Sequence, residues 1–463
     1  MKLKSVAILF ALFLLFFINL RSEASPGNLP VHNMTTALNY ATIQEALDAQ
    51  ETLDGHVILV EGGVYYEHVV VRKAVRLWAA THNAIVDGQG AEEVISLKRS
   101  GAEIVGFTVK NGSRGIVLRN LQNTSATDNE VFDCSYAGIF LFNCSRCNIT
   151  DNTVSSNDMA GVYLWESMRN LIANNRVADA SHGIYLLVHS TYNLISDNTV
   201  VDSPQGIALS YNCDHNTVKG NTVFSSSVGG IVMGGAQNNT IFHNNLLSAR
   251  AAWSYGDASN FWDSGREGNF WSDYPGSDQN RDGIGDTPYV IDERNRDQHP
   301  LMGAFNSFNV RWQEKTDRVT VISNSTISDF NFKTIDALEV MESIEFNVSG
   351  GDTYGFCRVM IPISLLNYSY TRVNGEDVNT TILDASNSTH TYLYFTYSIT
   401  NAKHVTLIPE FPSPYVWSLP IISATLAILF LKRIARRSRN LYMPKSSCKS
   451  QRLERRVLGE RNL

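Results

Sequence analysis

The sequence lacks the features of several protein classes. Six cysteines are present, and Cys448 lies in a basic C-terminal tail, so the five others cannot all pair and a disulfide scaffold is excluded. No helical hydrophobic period fits residues 115–246. The net charge is −7 although the tail after residue 431 is strongly basic, so the remainder is more acidic still. This balance argues against nucleic acid as a partner.

Only the two ends carry long apolar runs. Val6 to Leu20 follows Lys2 and Lys4 and precedes small residues, which predicts a signal peptide over residues 1–24, with an uncleaved anchor as the alternative. Residues 415–431 are predicted to form a transmembrane helix, because Lys and Arg residues follow them directly. We therefore expect a single-pass cell-membrane protein with a large extracellular N-terminal part and a cytoplasmic tail over residues 432–463.

A 23-residue repeat fills the middle of the chain. It shows in a column of asparagines: Asn129, Asn152, Asn175, Asn198, Asn221 and Asn244. Apolar columns lie three residues before and two residues after it, and a Gly-Ile/Val-X-Leu/Met element recurs once per repeat. Short β-branched runs separated by Asn, Asp and Gly predict strands joined by turns, and coils that cannot bury their own apolar face must stack. The repeat therefore predicts a parallel β-solenoid.

Further details support stacked coils with a cap. A second asparagine column repeats the period, and Cys147 is in its register one coil earlier, which predicts an interior position for that thiol: Asn170, Asn193, Asn216 and Asn239. Thr42 and Glu45 form a capping-box pattern that predicts a short helix covering the exposed N-terminal coil.

The N-terminal order is specific. A Thr-Ile-Gln-Glu-Ala-Leu helix, a Gly-Gly-Val-Tyr strand, an Ile-Val-Asp-Gly turn and asparagine-laddered coils follow one another. This order resembles the pectin-lyase-like superfamily, and within it the NosD-like family, named for a periplasmic copper-binding protein, over about residues 38–303. The stretch from Gly268 to Tyr289 is similar to the end of archaeal members, and residues 408–413 resemble archaeal surface-anchoring signals. The resemblance implies an all-β chain whose main domain is a right-handed parallel β-helix (pectin-lyase-like).

The 23-residue repeat does not continue to the end of the extracellular part. Residues 305–408 show alternating strands instead, for example Arg358 to Ile363 and Thr391 to Tyr397, and predict a small β-sandwich stalk. The full expectation is a β-helix over residues 38–303 with an N-terminal cap and a C-terminal Asp-rich segment, then the sandwich, then the transmembrane helix.

The Asp-rich segment resembles a calcium-binding loop. Oxygen ligands recur at alternate positions around Gly283, and the predicted ligands are Asp278, Asn280, Asp282, Ile284 through its carbonyl, and Asp286. The twelfth position is Tyr289 rather than Glu, so the bidentate ligand is missing. We expect a structural calcium ion, with a metal-free Asx-rich turn as the alternative.

Aromatic residues recur on the outward side of the Gly-Ile-X-Leu strands. The predicted sugar-contacting set is Phe140, Phe142, Tyr163, Trp165, Tyr185 and Glu166. Rings in such a ladder offer flat apolar faces on which sugars stack. The alternatives are simple cross-strand stacking, or a loop or the second domain lying over the face.

Catalytic and copper-binding signals are weaker. The Asn-Thr-Asp, double-Asp, Gly-His-Gly and Arg-X-Lys elements of polygalacturonase-like hydrolases are missing, so whether the chain is an enzyme stays open. Weak candidate positions are Asp158 and Glu166, a column of Asp128, Asp151 and Asp197, and a column of Arg146 and Arg169. Soft copper ligands are available at Cys144, Cys147, Cys213, Met233 and His189, but Cys144 and Cys213 are three coils apart.

Three functions are compatible with these features. The first is a surface protein that binds polysaccharide or glycan along the aromatic ladder. The second is a carbohydrate-active lyase or hydrolase, and the third is a structural, adhesive or NosD-like copper accessory protein. Eleven Asn-X-Ser/Thr sequons suggest a glycoprotein: Asn33, Asn111, Asn123, Asn143, Asn148, Asn238, Asn324, Asn347, Asn367, Asn379 and Asn387.

Overall fold

The computed structural model describes residues 29–312, 314–334, 342–350, 353–398 and 401–409. The predicted signal peptide, the span at residues 415–431 and the tail at residues 432–463 lie outside these ranges. Among the described residues, no helix is both long enough and apolar enough to cross a membrane.

The first two-thirds of the described chain is a right-handed parallel β-helix, called the solenoid below. One wall is an 11-stranded sheet, in spatial order Leu38–Tyr40, Val31–Asn33, Val57–Val60, Arg76–Ala79, Glu103–Val105, Ser125–Thr127, Asn148–Thr150, Leu171–Ala173, Leu194–Ser196, Thr217–Lys219 and Thr240–Phe242. The second sheet has 14 strands: Gly63–Tyr65, Val69–Val71, Ala84–Leu97, Thr108–Arg119, Glu130–Phe142, Thr153–Trp165, Arg176–Leu187, Thr199–Val201, Gln205–Ser210, Thr222–Phe224, Gly229–Gly234, Asn245–Leu247, Ala252–Tyr255 and Phe270–Trp271. Equivalent residues of successive coils pair directly, as in Ile149 with Ile172.

A helix closes the N-terminal end. Ile43–Asp48 is helical, Thr42 is its N-cap, and the Thr42 side chain accepts a hydrogen bond from the Glu45 N–H. Ile43 and Leu47 are buried against the first coil. The predicted N-cap is therefore present, but the Glu45 carboxylate accepts the Ala41 N–H rather than that of Thr42, so only half of the capping box forms.

The asparagine column forms a ladder inside the solenoid. Asn152 Nδ2 donates to Asn175 Oδ1 at 2.9 Å and to the Ala126 carbonyl at 2.9 Å, and the Asn152 N–H donates to the same Oδ1 at 3.0 Å. The pattern repeats in the neighbouring coils, and these amides are about 1% exposed or less. A polar interior is stable here because equivalent side chains are about 4.8 Å apart, so that each amide has a partner.

Close packing between coils explains why the first position of the Gly-Ile-X-Leu element is glycine. A methyl group on Gly161 would lie 2.2 Å from Val177 Cγ1 and 2.8 Å from the Gly183 carbonyl oxygen. No side chain fits there, so glycine is required where two walls of adjacent coils approach each other.

The predicted Asp and Arg columns lie at turns with left-handed backbone conformations. Asp128, Asp151, Asn174 and Asp197 have φ between 56° and 59°, and Arg146 and Arg169 have φ of 53° and 55°. Asp and Asn tolerate positive φ better than most residues because their short side chains bond locally. The Asp column is thus accounted for by turn geometry.

Two cap residues end the ladders at the C-terminal side. The first ladder continues through Asn269 to Asp297, whose carboxylate accepts the Asn269 N–H at 2.7 Å and Trp271 Nε1–H at 2.8 Å. The second continues through Asn260 to Asn295, whose amide donates to the Asp292 carboxylate at 2.8 Å. A short antiparallel pair, Tyr289–Val290 with Arg296–Asp297, holds this segment together.

The remaining strands form two antiparallel sheets, called the sandwich below. One sheet has the order Ala304–Trp312, Lys315–Ser323, Tyr354–Pro362, His390–Ser398 and Thr380–Ile382. The other has the order Thr326–Thr334, Glu342–Ser349, Lys403–Pro409, Tyr368–Val373 and Glu376–Val378. Apolar side chains such as Val319, Phe346 and Leu393 fill the space between the sheets.

The sandwich packs directly against the last coils of the solenoid. Asn245 uses its side-chain amide like a backbone unit, accepting the Phe305 N–H at 2.7 Å and donating to the Phe305 carbonyl at 2.9 Å. Ile284 and Leu301 pack against Phe305 and Ile322 in a small apolar cluster. The two parts therefore share a bonded and packed junction.

Candidate functional site

The predicted aromatic residues lie on the outer side of neighbouring solenoid strands. Phe140 pairs with Tyr163, and Tyr163 pairs with Tyr185. Phe142 pairs with Trp165 in the same strands. The surface that they form, called the aromatic face below, consists of Tyr136, Phe140, Phe142, Tyr163, Trp165, His182 and Tyr185.

The exposure of these rings is unequal, which corrects the sequence interpretation. Phe140 is 4% exposed and Tyr163 is 0% exposed, because they pack with Val117 and with Tyr136 and Met159 from the bend in each strand. Phe140 and Tyr163 thus form the floor of the face and are not available for the sugar contact predicted for them. Phe142, Trp165 and Tyr185 pack on this floor and are half-buried, so part of each side chain is exposed.

The rings are held in fixed orientations. The Tyr163 and Tyr185 rings are stacked, with centroids 5.3 Å apart and an interplanar angle of 9°. His182 stacks on the same Tyr185 ring at 4.2 Å. A ring held by its neighbours loses little conformational entropy when a ligand contacts it, so the face is preorganised for flat apolar groups.

A charged cluster borders the aromatic face on the N-terminal side. The Arg114 guanidinium lies 4.7 Å from the Tyr136 ring centroid, and that of Arg119 lies 5.3 Å from Phe140. Arg119 also pairs with Glu93 at 2.8 Å. Although burial raises it, the Ser96 hydroxyl and Arg119 lower the pKa of Glu93 to about 2. Glu93 therefore stays charged and holds Arg119 against the rings.

Titratable groups on the face are shifted toward their neutral forms. Burial lowers the pKa of His182, and burial raises the pKa values of Tyr185 and of Tyr163, the latter with Tyr136 beside it. The Tyr163 hydroxyl is buried beneath the face, with Tyr136 as its polar neighbour. The face thus combines a neutral imidazole with protonated phenols.

Sequence reasoning missed part of this site. His182 was expected to supply a polar contact beside the ladder, but Tyr136 and Arg114 were not predicted. Arg114 pairs with Ala137 in the next strand, so its repeat position could have indicated it. Tyr136 lies in the bend after Asp133, which has a φ of 54°, and simple strand alternation does not predict its direction.

Glu166 lies beyond the end of its strand. It is exposed, has a φ of 51°, and its backbone N–H donates to the Val188 carbonyl at 3.0 Å. Asp158 is also exposed, in the bend of the same strand. Neither residue has a described ion-pair or hydrogen-bond partner for its carboxylate that would mark it as a positioned acid or base.

The predicted calcium segment folds into Asx-type turns. The Asp278 carboxylate accepts the N–H groups of Asp282 at 3.0 Å and Gly283 at 2.8 Å, and Asp286 accepts the Gln279 N–H at 2.7 Å. Burial raises the pKa of Asp278. Across the described ranges, no three His, Cys, Asp or Glu side chains are arranged as a metal-binding group. Calcium binding here remains a prediction.

The candidate copper ligands are mostly interior. Cys144, Cys147, Cys213 and Met233 are at most 1% exposed. The Cys147 N–H donates to Asn170 Oδ1 at 2.9 Å, so this cysteine occupies the first position of the second ladder, as predicted. His189 is exposed on a turn. These positions give the soft ligands no common accessible site in the described part of the chain.

Comparisons with known proteins support the architecture. Residues 66–276 match the NosD family model, described as periplasmic copper-binding protein. A segment of 130 residues is 30% identical to a cell surface glycoprotein of Methanothermus fervidus. The match covers 28% of this chain and 22% of that protein, so the chain spans less than a quarter of this curated relative.

Solved structures with similar coils share little sequence with this chain. An alginate lyase from Paenibacillus sp. is 14% identical with a TM-score of 0.41, over 49% of this chain and 91% of that one. A tailspike protein of Acinetobacter baumannii bacteriophage Fri1, a capsular polysaccharide depolymerase, is 11% identical with a TM-score of 0.38, over 80% and 82%. Similarities at this level do not bear on activity.

Proposed function

From the NosD-like right-handed parallel β-helix that this chain contains, we propose a surface protein that binds polysaccharide or glycan on its aromatic face. The observation that carries the proposal is the set of half-buried rings of Phe142, Trp165 and Tyr185 above a buried aromatic floor. Sugar rings stack their C–H faces on such surfaces. The Arg119 side chain, which is partly exposed beside Phe142, would supply polar contacts at one end.

The distribution of sequons supports this use of the face. None of the eleven sequon asparagines lies within the paired segments that form its outer surface, at residues 112–119, 137–142, 160–165 and 182–187. Exposed sequons on the solenoid lie outside these segments, at Asn111, Asn123, Asn143, Asn148 and Asn238. Glycans attached at Asn123, Asn148 and Asn238 would leave the aromatic face accessible, whereas one at Asn143 would lie at its edge, next to Phe142.

A surface location follows from the same set of features. The similar protein from M. fervidus is named a cell surface glycoprotein, and the N-terminal run and the 415–431 run have the composition of an export signal and an anchor. The chain would be held by one span, with the solenoid outside and the sandwich between the solenoid and the membrane.

The second candidate function is a polysaccharide lyase at the same face. It is favoured by the neutral, half-buried His182 ring, which stacks on the half-buried Tyr185 ring. A neutral imidazole can accept a proton and a phenol can donate one, which is the pair of steps that β-elimination requires. A copper accessory role has less support, since its soft ligands are buried.

A glycan array with the full chain tests the binding proposal. The variant Phe142→Ala/Trp165→Ala/Tyr185→Ala should bind any positive glycan at least about tenfold more weakly, because it removes the accessible rings but leaves the floor intact. Tyr192→Ala is the matched control, since Tyr192 is an exposed aromatic residue on a different turn. Unchanged binding by the triple variant, with native circular dichroism, would rule out this face.

Product analysis separates binding from cleavage. Tyr185→Phe removes only the hydroxyl and keeps the ring of the face, so a lyase should lose its unsaturated products and retain its binding. If the wild-type chain releases no unsaturated product from any bound polysaccharide, the lyase alternative is excluded and the binding function stands alone.

A further inference from the structure

A cavity of about 820 Å³ lies between the last coils of the solenoid and the sandwich. His243, Glu267 and His299 line it from the solenoid side, and Arg358 and Tyr392 line it from the sandwich. The cavity shares no lining residue with the aromatic face, so a group bound in it is independent of glycan binding at that face. Cavities at junctions of this kind are common positions for bound groups.

The floor of the cavity is an internally neutralised network. Glu267 pairs with His243 at 2.8 Å and with Arg358 at 2.7 Å, and Arg358 Nη1 donates to the Asp282 carbonyl at 2.6 Å. Although burial raises it, His243 and Arg358 lower the pKa of Glu267 to about 2. Since Arg358 balances the charge of Glu267, the floor does not require a charged occupant and suits a neutral polyhydroxylated one, whose hydroxyl groups can also bond to Arg266, Asp282 and Asp384 in the lining.

One rim of the cavity is the sandwich turn that carries the sequon Asn387-Ser388-Thr389. Asn387 Oδ1 accepts the Thr389 hydroxyl at 2.7 Å, the Thr389 N–H at 2.9 Å and the His390 N–H at 3.1 Å. These bonds fix the amide through its oxygen. Asn387 is exposed, and no described contact uses its Nδ2.

In several other sequons the amide nitrogen of the asparagine already has a hydrogen-bond partner. Asn33 is completely buried and donates Nδ2 to Thr52. The amide nitrogens of Asn111, Asn143 and Asn347 donate to neighbouring side chains. That of Asn324 donates to the Tyr354 carbonyl. In the Asn387 sequon the Thr389 hydroxyl donates to the Asn387 amide oxygen, and no described contact occupies the Asn387 amide nitrogen.

We propose that Asn387 carries an N-linked glycan whose first sugars occupy this cavity and brace the solenoid against the sandwich. In the modification, Asn387 Nδ2 forms a bond to the anomeric carbon of a glycosyl phosphate donor brought by a separate transferase. The bond from that carbon to the phosphate oxygen breaks, the phosphate leaves with the electron pair, and Nδ2 loses one proton. Neutral hydroxyl-rich sugars match the compensated charges of the floor.

The test uses the full chain produced in a host that attaches N-linked glycans. Mass spectrometry of glycopeptides should find Asn387 modified and Asn33 unmodified. Hydrogen exchange should be at least tenfold slower in peptides covering Ser264 to Glu267 than in the Asn387→Gln variant, because the glycan covers this wall of the cavity. Asn379→Gln, which removes an exposed sequon that does not line the cavity, should leave this exchange unchanged.

A second pair of variants separates the effect of losing the glycan from misfolding of the turn. Thr389→Val removes the sequon but retains Asn387, and should reproduce the faster exchange. Thr389→Ser keeps the sequon and should resemble the wild type. The proposal is overturned if Asn387 is unmodified, or if it is modified and the cavity wall exchanges equally fast with and without its glycan.

Discussion

The solenoid and the sandwich are both β structures, but they have opposite kinds of interior. The solenoid encloses rows of fully buried asparagine amides, whereas the sandwich is filled by Val319, Phe346, Leu393 and similar side chains. The solenoid can bury amides because each coil places the same group next to its copy in the following coil. The antiparallel sheets bring different residues together, so burial there favours groups that need no partner.

Removing one ladder amide should give the largest effect. Asn175→Ala leaves the Asn152 N–H and Nδ2 without their acceptor and the Ile149 carbonyl without its donor. We expect the free energy of unfolding to fall by about 4 kcal/mol, measured by denaturant titration.

The neighbouring residue provides the control for this ladder variant. Asn174 has a φ of 57° and is exposed, so Asn174→Gly should change the free energy of unfolding by about 0.5 kcal/mol or less. If Asn175→Ala and Asn174→Gly lowered the free energy of unfolding equally, the buried amides would not distinguish the solenoid from the sandwich.

The next effect concerns the acid at the end of the first ladder. Burial raises the pKa of Asp297 from 3.8 to about 6, against the N–H groups of Asn269, Trp271 and His299 that lower it. Because the folded-state pKa is the higher one, its protonation stabilises the fold below pH 4, and this contribution is lost as the pH rises through 6. The loss should be about 3 kcal/mol.

Asp297→Asn tests this pH dependence. The variant should lack the wild-type change in unfolding free energy between pH 4 and pH 6, measured by denaturant titration at each pH. Asp257→Asn, which removes a fully surface-exposed carboxylate, should keep that change. A wild-type profile that is flat in this range would contradict the prediction.

Calcium should give the smallest effect, at the boundary between the two regions. If Asp278, Asn280, Asp282, Ile284 and Asp286 bind calcium, the ion should raise the melting temperature by a few degrees through stabilisation of the folded state. Asp282→Ala should abolish both this shift and the heat of binding in calorimetry. Calcium-independent melting of the wild type would leave the segment as an Asx-rich turn.

Much of the solenoid could be predicted from its sequence. The 23-residue columns gave the strand register, the inward positions of Ile149 and Val154, and the interior position of Cys147. The ends of the ladders were missed, because loops change the spacing there. In the first ladder the last two spacings are 25 residues, to Asn269, and 28 residues, to Asp297. In the second they are 21 residues, to Asn260, and 35 residues, to Asn295. A fixed period cannot follow such insertions.

Prediction was coarser for the sandwich and for the aromatic face. Alternation indicated strands at Arg358 to Ile363 and Thr391 to Tyr397, which lie largely in Tyr354–Pro362 and His390–Ser398. Their pairing order depends on contacts distant in the sequence. On the aromatic face, alternation indicates the side of the sheet for Tyr163, but its burial depends on Tyr136 and Met159 in the bends of neighbouring strands.

Both ladders have a direction. Along each column Nδ2 of one coil donates to Oδ1 of the next, and the first series ends at the Asp297 carboxylate. At the end of the second, the Asn260 N–H donates to Asn295 Oδ1, and Asn295 Nδ2 donates to the Asp292 carboxylate. A carboxylate accepts the last donor without presenting a new one, whereas another amide would leave a hydrogen unsatisfied. Gene duplication could therefore lengthen this protein by inserting whole coils between existing ones. Coils added after Asp297 and Asp292 would not continue the series of amide hydrogen bonds, because these carboxylates offer no donor to the next coil.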